Sequence, residues 1–67
     1  MKVYIMTTID PKKIVLEWIE ENFEKSSIEL VDYPMMLGGT LIRDKKGNEM
    51  IVYYEFMRNQ VNHIILD

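Results

Sequence analysis

The chain has 67 residues, no cysteine and a formal net charge of −3, which predicts one small domain over residues 1–67. Without cysteine it can form neither a disulfide nor a thiolate metal site, and its single histidine, His63, limits any other metal site. We therefore expect no metal and no cofactor. A core of this size is marginally stable without a disulfide, a bound metal or oligomerisation, so self-association is the most available source of further stability.

Charge and hydropathy narrow the location and the partners. The 11 acidic residues outnumber the 8 basic ones, whereas nucleic-acid-binding domains usually carry a basic excess. The N-terminal segment lacks the apolar core and small-residue cleavage site of a signal peptide. No apolar run reaches the roughly 18 residues of a membrane span. We expect a cytoplasmic protein that does not bind a membrane, and for which nucleic acid is an unfavoured partner.

The N-terminal half predicts a strand over residues 3–8 and an amphipathic helix over residues 11–25. Asp10 is a preferred N-cap, and Pro11 suits the first helical position because its missing N–H has no partner to lose there. At 100° per residue the apolar and acidic side chains separate onto opposite sides. The apolar arc contains Ile14, Val15, Leu16, Trp18, Ile19 and Phe23.

The C-terminal half predicts extended segments separated by turns. The segment that begins at residue 28 is broken in two by Tyr33-Pro34, because proline cannot donate to a strand ladder. The run Asp44-Lys45-Lys46-Gly47 predicts a type I hairpin turn closed by a left-handed glycine. A last strand is predicted over residues 61–66. The predicted fold is α+β in the order β-α-β-β-β, with one amphipathic helix packed on a mostly antiparallel four-stranded sheet, an order that resembles the cystatin and monellin fold in topology.

The hairpin leaves apolar side chains on both faces of this sheet. A turn over residues 44–47 places Leu41 opposite Met50 and Thr40 opposite Ile51. The face predicted to meet the helix then carries Leu41, Met50, Val52, Tyr54 and Phe56. The other carries Ile42, Ile51, Tyr53 and, further along, Met57. One helix cannot cover both faces, so we expect the second face to bind a partner or another copy of the chain.

Two further segments are candidate partner-binding sites. Glu17, Glu20, Glu21 and Glu24 form an acidic stripe that a basic partner could bind, although a solvated outer face is the simpler interpretation. The charges also oppose the helix dipole, since Lys12 and Lys13 lie in the first turn. Met35, Met36 and Leu37 follow a proline, and methionine adapts to partner surfaces. Alternatively, one of these methionines fills a gap in the core.

No catalytic, cofactor-binding or metal-binding residue emerges from the sequence. His63 would be the general base of an enzyme, but Asn62 and Ile64 offer no nucleophile beside it. Gly38-Gly39 has neither the spacing nor the following helix of a phosphate-binding loop. We therefore expect a protein that is not an enzyme.

These observations favour a non-catalytic protein–protein interaction module that acts as a regulator, inhibitor or adaptor and forms a homodimer. The analogy is with small bacterial and phage or mobile-element proteins that act by binding a host protein. The alternative is a module that binds single-stranded nucleic acid through the hairpin over residues 40–58. In that case a tyrosine would stack on a base and four side chains would contact phosphate: Arg43, Lys45, Lys46 and Arg58.

Overall fold

The computed structural model describes residues 9–66, so the strand predicted over residues 3–8 lies outside the described residues. One helix is followed by four strands: α1 Pro11–Asn22, β1 Ile28–Asp32, β2 Thr40–Asp44, β3 Glu49–Glu55 and β4 Gln60–Leu66. The strands form a single antiparallel sheet in the order β1-β2-β3-β4. Short 3₁₀ turns at Lys25–Ser27 and Phe56–Arg58 precede β1 and β4.

The predicted α+β class, with one helix packed on a four-stranded antiparallel sheet, is confirmed. Within residues 9–66 all four strands follow the helix, because the segment broken at Tyr33-Pro34 folds back on itself and forms β1 and β2. The loop is closed by two backbone hydrogen bonds: Tyr33 N–H donates to the Gly39 carbonyl at 3.0 Å, and Gly39 N–H donates to the Met36 carbonyl at 2.9 Å. The break is thus a hairpin loop.

The helix begins where the sequence predicts and ends three residues earlier. The Asp10 carboxylate accepts a hydrogen bond from Lys13 N–H at 3.3 Å, and Pro11 occupies the first turn. At the other end Phe23 has extended backbone angles (φ −138°, ψ 152°). The Phe23 N–H donates the last helical hydrogen bond, to the Ile19 carbonyl at 2.9 Å, and the Asn22 side-chain amide donates to the Trp18 carbonyl at 2.7 Å.

The predicted register of the β2–β3 hairpin is wrong by one residue. Asp44 N–H donates to the Asn48 carbonyl at 3.0 Å, so Asp44 is the last paired residue and the loop is one residue shorter than predicted. Ile42 consequently pairs with Met50, and Leu41 pairs with Ile51. A shift of one residue turns every side chain of a strand to the other face, and Ile42 rather than Leu41 faces the helix.

The core lies between α1 and the central strands. Val15 and Ile19 of the helix are fully buried and pack with Ile42, Val52 and Tyr54 of the sheet. Phe56, predicted to belong to this core, lies instead in the 3₁₀ turn after β3 and is exposed. The side chains that pack around the core are Ile14, Trp18, Phe23, Ile28, Met50 and Val61.

The shorter hairpin loop depends on the Asp44 carboxylate, which accepts hydrogen bonds from Lys46 N–H, Asn48 N–H and the Asn48 side-chain amide, each at 2.9 Å. The bonds from Asn48, its side chain first, hold the pKa of Asp44 below its ordinary value of 3.8. The pKa of Asp44 is lower in the folded state than in the unfolded state. The stabilisation is therefore complete when the pH is above the pKa of the unfolded state, and it disappears as the pH falls through the pKa of the folded state.

We therefore expect an Asp44→Asn variant to be less stable than the natural chain at neutral pH, with a difference that shrinks on acidification below about pH 4. Urea-unfolding midpoints measured for both proteins from neutral pH down to strongly acidic pH check this expectation. A difference that stays constant across the whole range would contradict the assignment to the Asp44 carboxylate.

Candidate protein-interaction surfaces

The sheet face opposite the helix carries a line of aliphatic side chains that crosses all four strands. Val31 pairs with Leu41, Leu41 with Ile51, and Ile51 with Ile64, so the four side chains lie side by side on one face. We call these four residues the aliphatic row. Its two outer members, Val31 and Ile64, are each 41% exposed, while Ile51 in the middle is buried.

Of the residues predicted for this face, Ile51 and Tyr53 lie on it and Ile42 does not. Ile42 is only 4% exposed and belongs to the core under the helix, so its prediction as a partner-binding residue is corrected. Leu41 takes its place on the open face as a half-buried member of the aliphatic row. Sequence alternation identified two apolar faces, but the hairpin loop decides which residue belongs to which.

An ion-pair cluster bounds the aliphatic row on one side. The Arg43 guanidinium donates to the Glu49 carboxylate at 2.8 Å and to the Glu29 carboxylate at 3.1 Å. Both hydrogen bonds raise the pKa of Arg43 above its ordinary value, and the bond to Glu49 has the larger effect. Because two carboxylates neutralise this arginine, it is poorly placed to contact phosphate.

A second exposed apolar surface lies where the β1–β2 loop meets the β3–β4 turn. Tyr54 N–H donates to the Leu37 carbonyl at 2.9 Å, which places the loop beside the end of β3, two residues before Phe56. Met35 is 78% exposed and Met57 is 88% exposed. We call this the end surface, and its members are Met35, Leu37, Phe56 and Met57.

Sequence reasoning found half of the end surface. It identified Met35 and Leu37, which are exposed, together with Met36, which is half-buried in the loop. It missed Phe56 and Met57, because it extended β3 through them. The sequence does predict a turn over Arg58-Asn59-Gln60, but the 3₁₀ turn begins two residues earlier, at Phe56. Asn59 adopts the left-handed conformation (φ 50°) and accepts a hydrogen bond from the Tyr54 hydroxyl at 2.7 Å. Asparagine tolerates that conformation and so marks a tight turn.

The end surface is fastened to the start of the helix by Lys12. Its ammonium group donates to the Asp32 carboxylate at 2.6 Å, to the Gly39 carbonyl at 2.7 Å and to the Thr40 hydroxyl at 2.8 Å. Three acceptors from the two ends of the β1–β2 loop are thereby joined to one helical side chain. Lys12, which in sequence opposes the helix dipole, therefore has a structural role in positioning the loop.

The acidic stripe is exposed throughout but does not lie on one helix. Glu17, Glu20 and Glu21 lie on α1, whereas Glu24 follows it and precedes the 3₁₀ turn. Glu20 pairs with Lys25 at 3.1 Å, which neutralises part of the stripe locally. The structure thus places these glutamates on the solvated outer side and leaves binding of a basic partner as a prediction.

Two open grooves flank the helix. One, of about 470 Å³, lies between α1 and β1 with Leu16, Ile19 and Leu30 along it. The other, of about 380 Å³, lies beyond the helix end, lined by Phe23, Ile28, Ile42, Met50 and Ile65 among others. Neither contains His63, whose exposed ring stacks on Trp18 with 6.3 Å between ring centroids.

The basic side chains proposed to contact nucleic acid do not converge. Lys45 and Lys46 lie at the tip of the β2–β3 hairpin, and Arg58 lies at the opposite end of β3, where it pairs with Glu55 at 3.4 Å. Tyr54 is buried in the core, so its ring cannot serve as a stacking platform. The geometry thus supplies no continuous basic track for this alternative function.

No family model, no curated protein and no solved structure matches this chain. Within residues 9–66, no group of three or more His, Asp or Glu side chains is arranged to hold a metal ion. The helix in that range is too short and too polar to cross a membrane. The function is therefore inferred from the surfaces described above.

Proposed function

We propose that this protein is a non-catalytic protein–protein interaction module, a cytoplasmic regulator, inhibitor or adaptor, that binds a protein partner through the end surface and also associates with itself. The observation that carries the proposal is the exposure of Met35 and Met57, 78% and 88%, where Leu37 in the loop that contains Met35 is hydrogen-bonded to Tyr54, two residues before the turn that contains Met57 begins. Clustered exposed apolar side chains are typical of docking sites.

The chemistry of the end surface fits a protein partner. Methionine is unbranched and polarisable, so two methionines can adapt to an apolar pocket, and the aromatic ring of Phe56 supplies a larger anchor. The β1–β2 loop is held by the Lys12 contacts and by the Tyr54 N–H bond to Leu37, and the β3–β4 turn is held by the Tyr54 hydroxyl bond to Asn59. A surface that is already positioned loses little conformational freedom on binding.

The proposal is tested by affinity capture from cells of the natural host, with the partner that the natural chain enriches quantified for each variant. We expect a Met35→Glu/Met57→Glu variant to bind at least about tenfold more weakly, which corresponds to about 1.4 kcal/mol. Both side chains are exposed, so circular dichroism should show an unchanged fold.

The matched comparison is a Glu17→Lys/Glu20→Lys/Glu24→Lys variant, which alters the acidic stripe and leaves the end surface intact. If the end surface binds the partner, this variant still captures the partner as well as the natural chain does. Loss of capture with the charge reversals and retention with the two methionine substitutions would transfer the binding site to the acidic stripe and contradict the proposal.

A further inference from the structure

The two edges of the sheet differ in their protection against pairing with another strand. Among the described strands, β1 forms one edge, with five residues that include Glu29 and Asp32. The other edge is β4, with seven residues, QVNHIIL, and no Asp, Glu, Lys or Arg. Natural sheets commonly guard an exposed edge with charges or a short strand. In the part of the chain that the structure describes, the β4 edge has neither form of protection.

The ladder indicates which backbone groups of β4 point outward. Tyr54 N–H donates to Leu37, away from β4, so Tyr54 and Val61 form a non-hydrogen-bonded pair. Because such pairs alternate along an antiparallel ladder, the backbone groups of Val61, His63 and Ile65 face the open edge. His63 N–H accordingly bonds its neighbour, the Asn62 side-chain oxygen, at 3.0 Å.

We propose that β4 pairs antiparallel with β4 of a second copy of this chain, about a two-fold axis at Ile64. This inference rests on the self-association in the proposed function and specifies its interface. In this register His63 of each copy pairs with Ile65 of the other, which makes four backbone hydrogen bonds. Ile64 faces its own equivalent in a non-hydrogen-bonded pair.

The hydrophobic pattern selects this register. With Ile64 on the axis, the aliphatic row of one copy runs directly into that of the other, and the two rows become one line of eight side chains across an eight-stranded sheet. Pairing centred on His63 would instead place Ile64 opposite Asn62. Strand register is strongly specified where apolar residues share a face, and β4 carries no charge that a second β4 would repel.

The β4 strand of a second copy fits the β4 edge better than the β1 strand of a second copy does. Head-to-tail pairing of β4 with β1 would put the neutral strand beside Glu29 and Asp32 and would form an open chain of molecules rather than a closed dimer. Two copies of β4 satisfy each other's outward backbone groups and leave only the charged β1 edges outside.

The absence of cysteine permits a direct test with single-cysteine variants. Cα atoms in a non-hydrogen-bonded antiparallel pair are about 4.5 Å apart, within the disulfide range of about 4.4–6.8 Å. We expect purified Ile64→Cys protein to become a covalent dimer under mild oxidation. The matched control is Val31→Cys, since Val31 has the same exposure, 41%, on the same face and in the same row, but at the opposite edge. It should remain monomeric in a non-reducing gel.

Lysine substitutions at the same two positions test the non-covalent dimer by light scattering. Ile64→Lys places two like charges on the axis and should yield the mass of one chain, whereas Val31→Lys should retain twice that mass. If the natural chain stays monomeric at the highest attainable concentration, the proposal is overturned. A monomer is also the result expected if residues 3–8 of the same chain, and not a second copy, pair with β4. Loss of the dimer in both variants would indicate stacking of the open faces and would equally overturn the proposal.

The register has its own test. With the axis at Ile64, the two His63 Cα atoms are displaced along the strands beyond the distance that a disulfide spans, so His63→Cys should not cross-link. Efficient cross-linking of His63→Cys would overturn the register. These measurements use purified protein without a partner and leave the end surface unchanged, so their failure is distinguishable from failure of the partner-capture experiment.

Discussion

Replacing Gly39 by alanine is expected to destabilise the protein by about 3 kcal/mol or more, at the upper end of single-substitution effects. A Cβ on Gly39 would lie 2.2 Å from the Tyr33 carbonyl oxygen and 3.0 Å from the Met36 carbonyl oxygen. Both atoms belong to the backbone of the β1–β2 loop, so a side-chain rotation cannot relieve the clash. The loop would have to open and lose its closing hydrogen bonds, including the one from Gly39 N–H.

The control for this prediction is Gly47→Ala in the β2–β3 hairpin. Gly47 has a positive φ of 88° but no atom within 4 Å of the added methyl group, so only the strained backbone counts, at about 1–2 kcal/mol. Urea unfolding followed by the fluorescence of Trp18, the one tryptophan in the chain, measures both. A Gly39→Ala protein as stable as Gly47→Ala would show that the loop is not closed as described.

Truncating Ile42 to alanine is expected to cost about 2–4 kcal/mol, because Ile42 is 4% exposed beneath the helix and its loss leaves a cavity. A domain of this length is typically stable by only about 3–10 kcal/mol. The Ile42→Ala protein should therefore unfold at a markedly lower urea concentration, and its helical circular dichroism should be lost in the same transition as its tryptophan fluorescence.

Leu41→Ala is the matched control, since it removes the same number of carbon atoms from the neighbouring position. Leu41 is half-buried on the open face, and we expect its truncation to cost roughly 1 kcal/mol. Comparing the stabilities of Ile42→Ala and Leu41→Ala tests the register of the β2–β3 hairpin directly. If Leu41→Ala were the more destabilising of the two, the hairpin would have the longer loop predicted from sequence, with Leu41 under the helix.

Local chemistry made much of the fold predictable. The helix start required only Asp10 and Pro11, whose preferences act within one turn of the chain. The helix end was predicted three residues late, because the apolar period continues to Phe23 while the backbone there is already extended. The two-sided apolar character of the sheet was also readable, since it needs only the alternation along a strand.

The candidate surfaces were only partly predictable for the same reason. Met35 and Leu37 were found because proline and glycine mark their loop. Phe56 and Met57 continue the apolar alternation of β3 and were therefore predicted as strand residues, whereas the backbone already turns at Phe56. The Tyr54 N–H bond to the Leu37 carbonyl holds the β1–β2 loop beside the end of β3, and no spacing along the sequence shows that these two segments lie side by side.

The sequence by itself determined the fold class, the helix and its start, the segments within which the chain turns (though not the exact bounds of each turn) and the excess of apolar side chains over what one helix can cover. These features depend on interactions within a few residues. Only the tertiary structure decided which aliphatic residues share a face and which of the described strands, β1 and β4, form the two edges of the sheet within residues 9–66. The reason is that the Asp44 hydrogen bonds set the hairpin loop, and a difference of one residue there exchanged Ile42 and Leu41 between the core and the open surface.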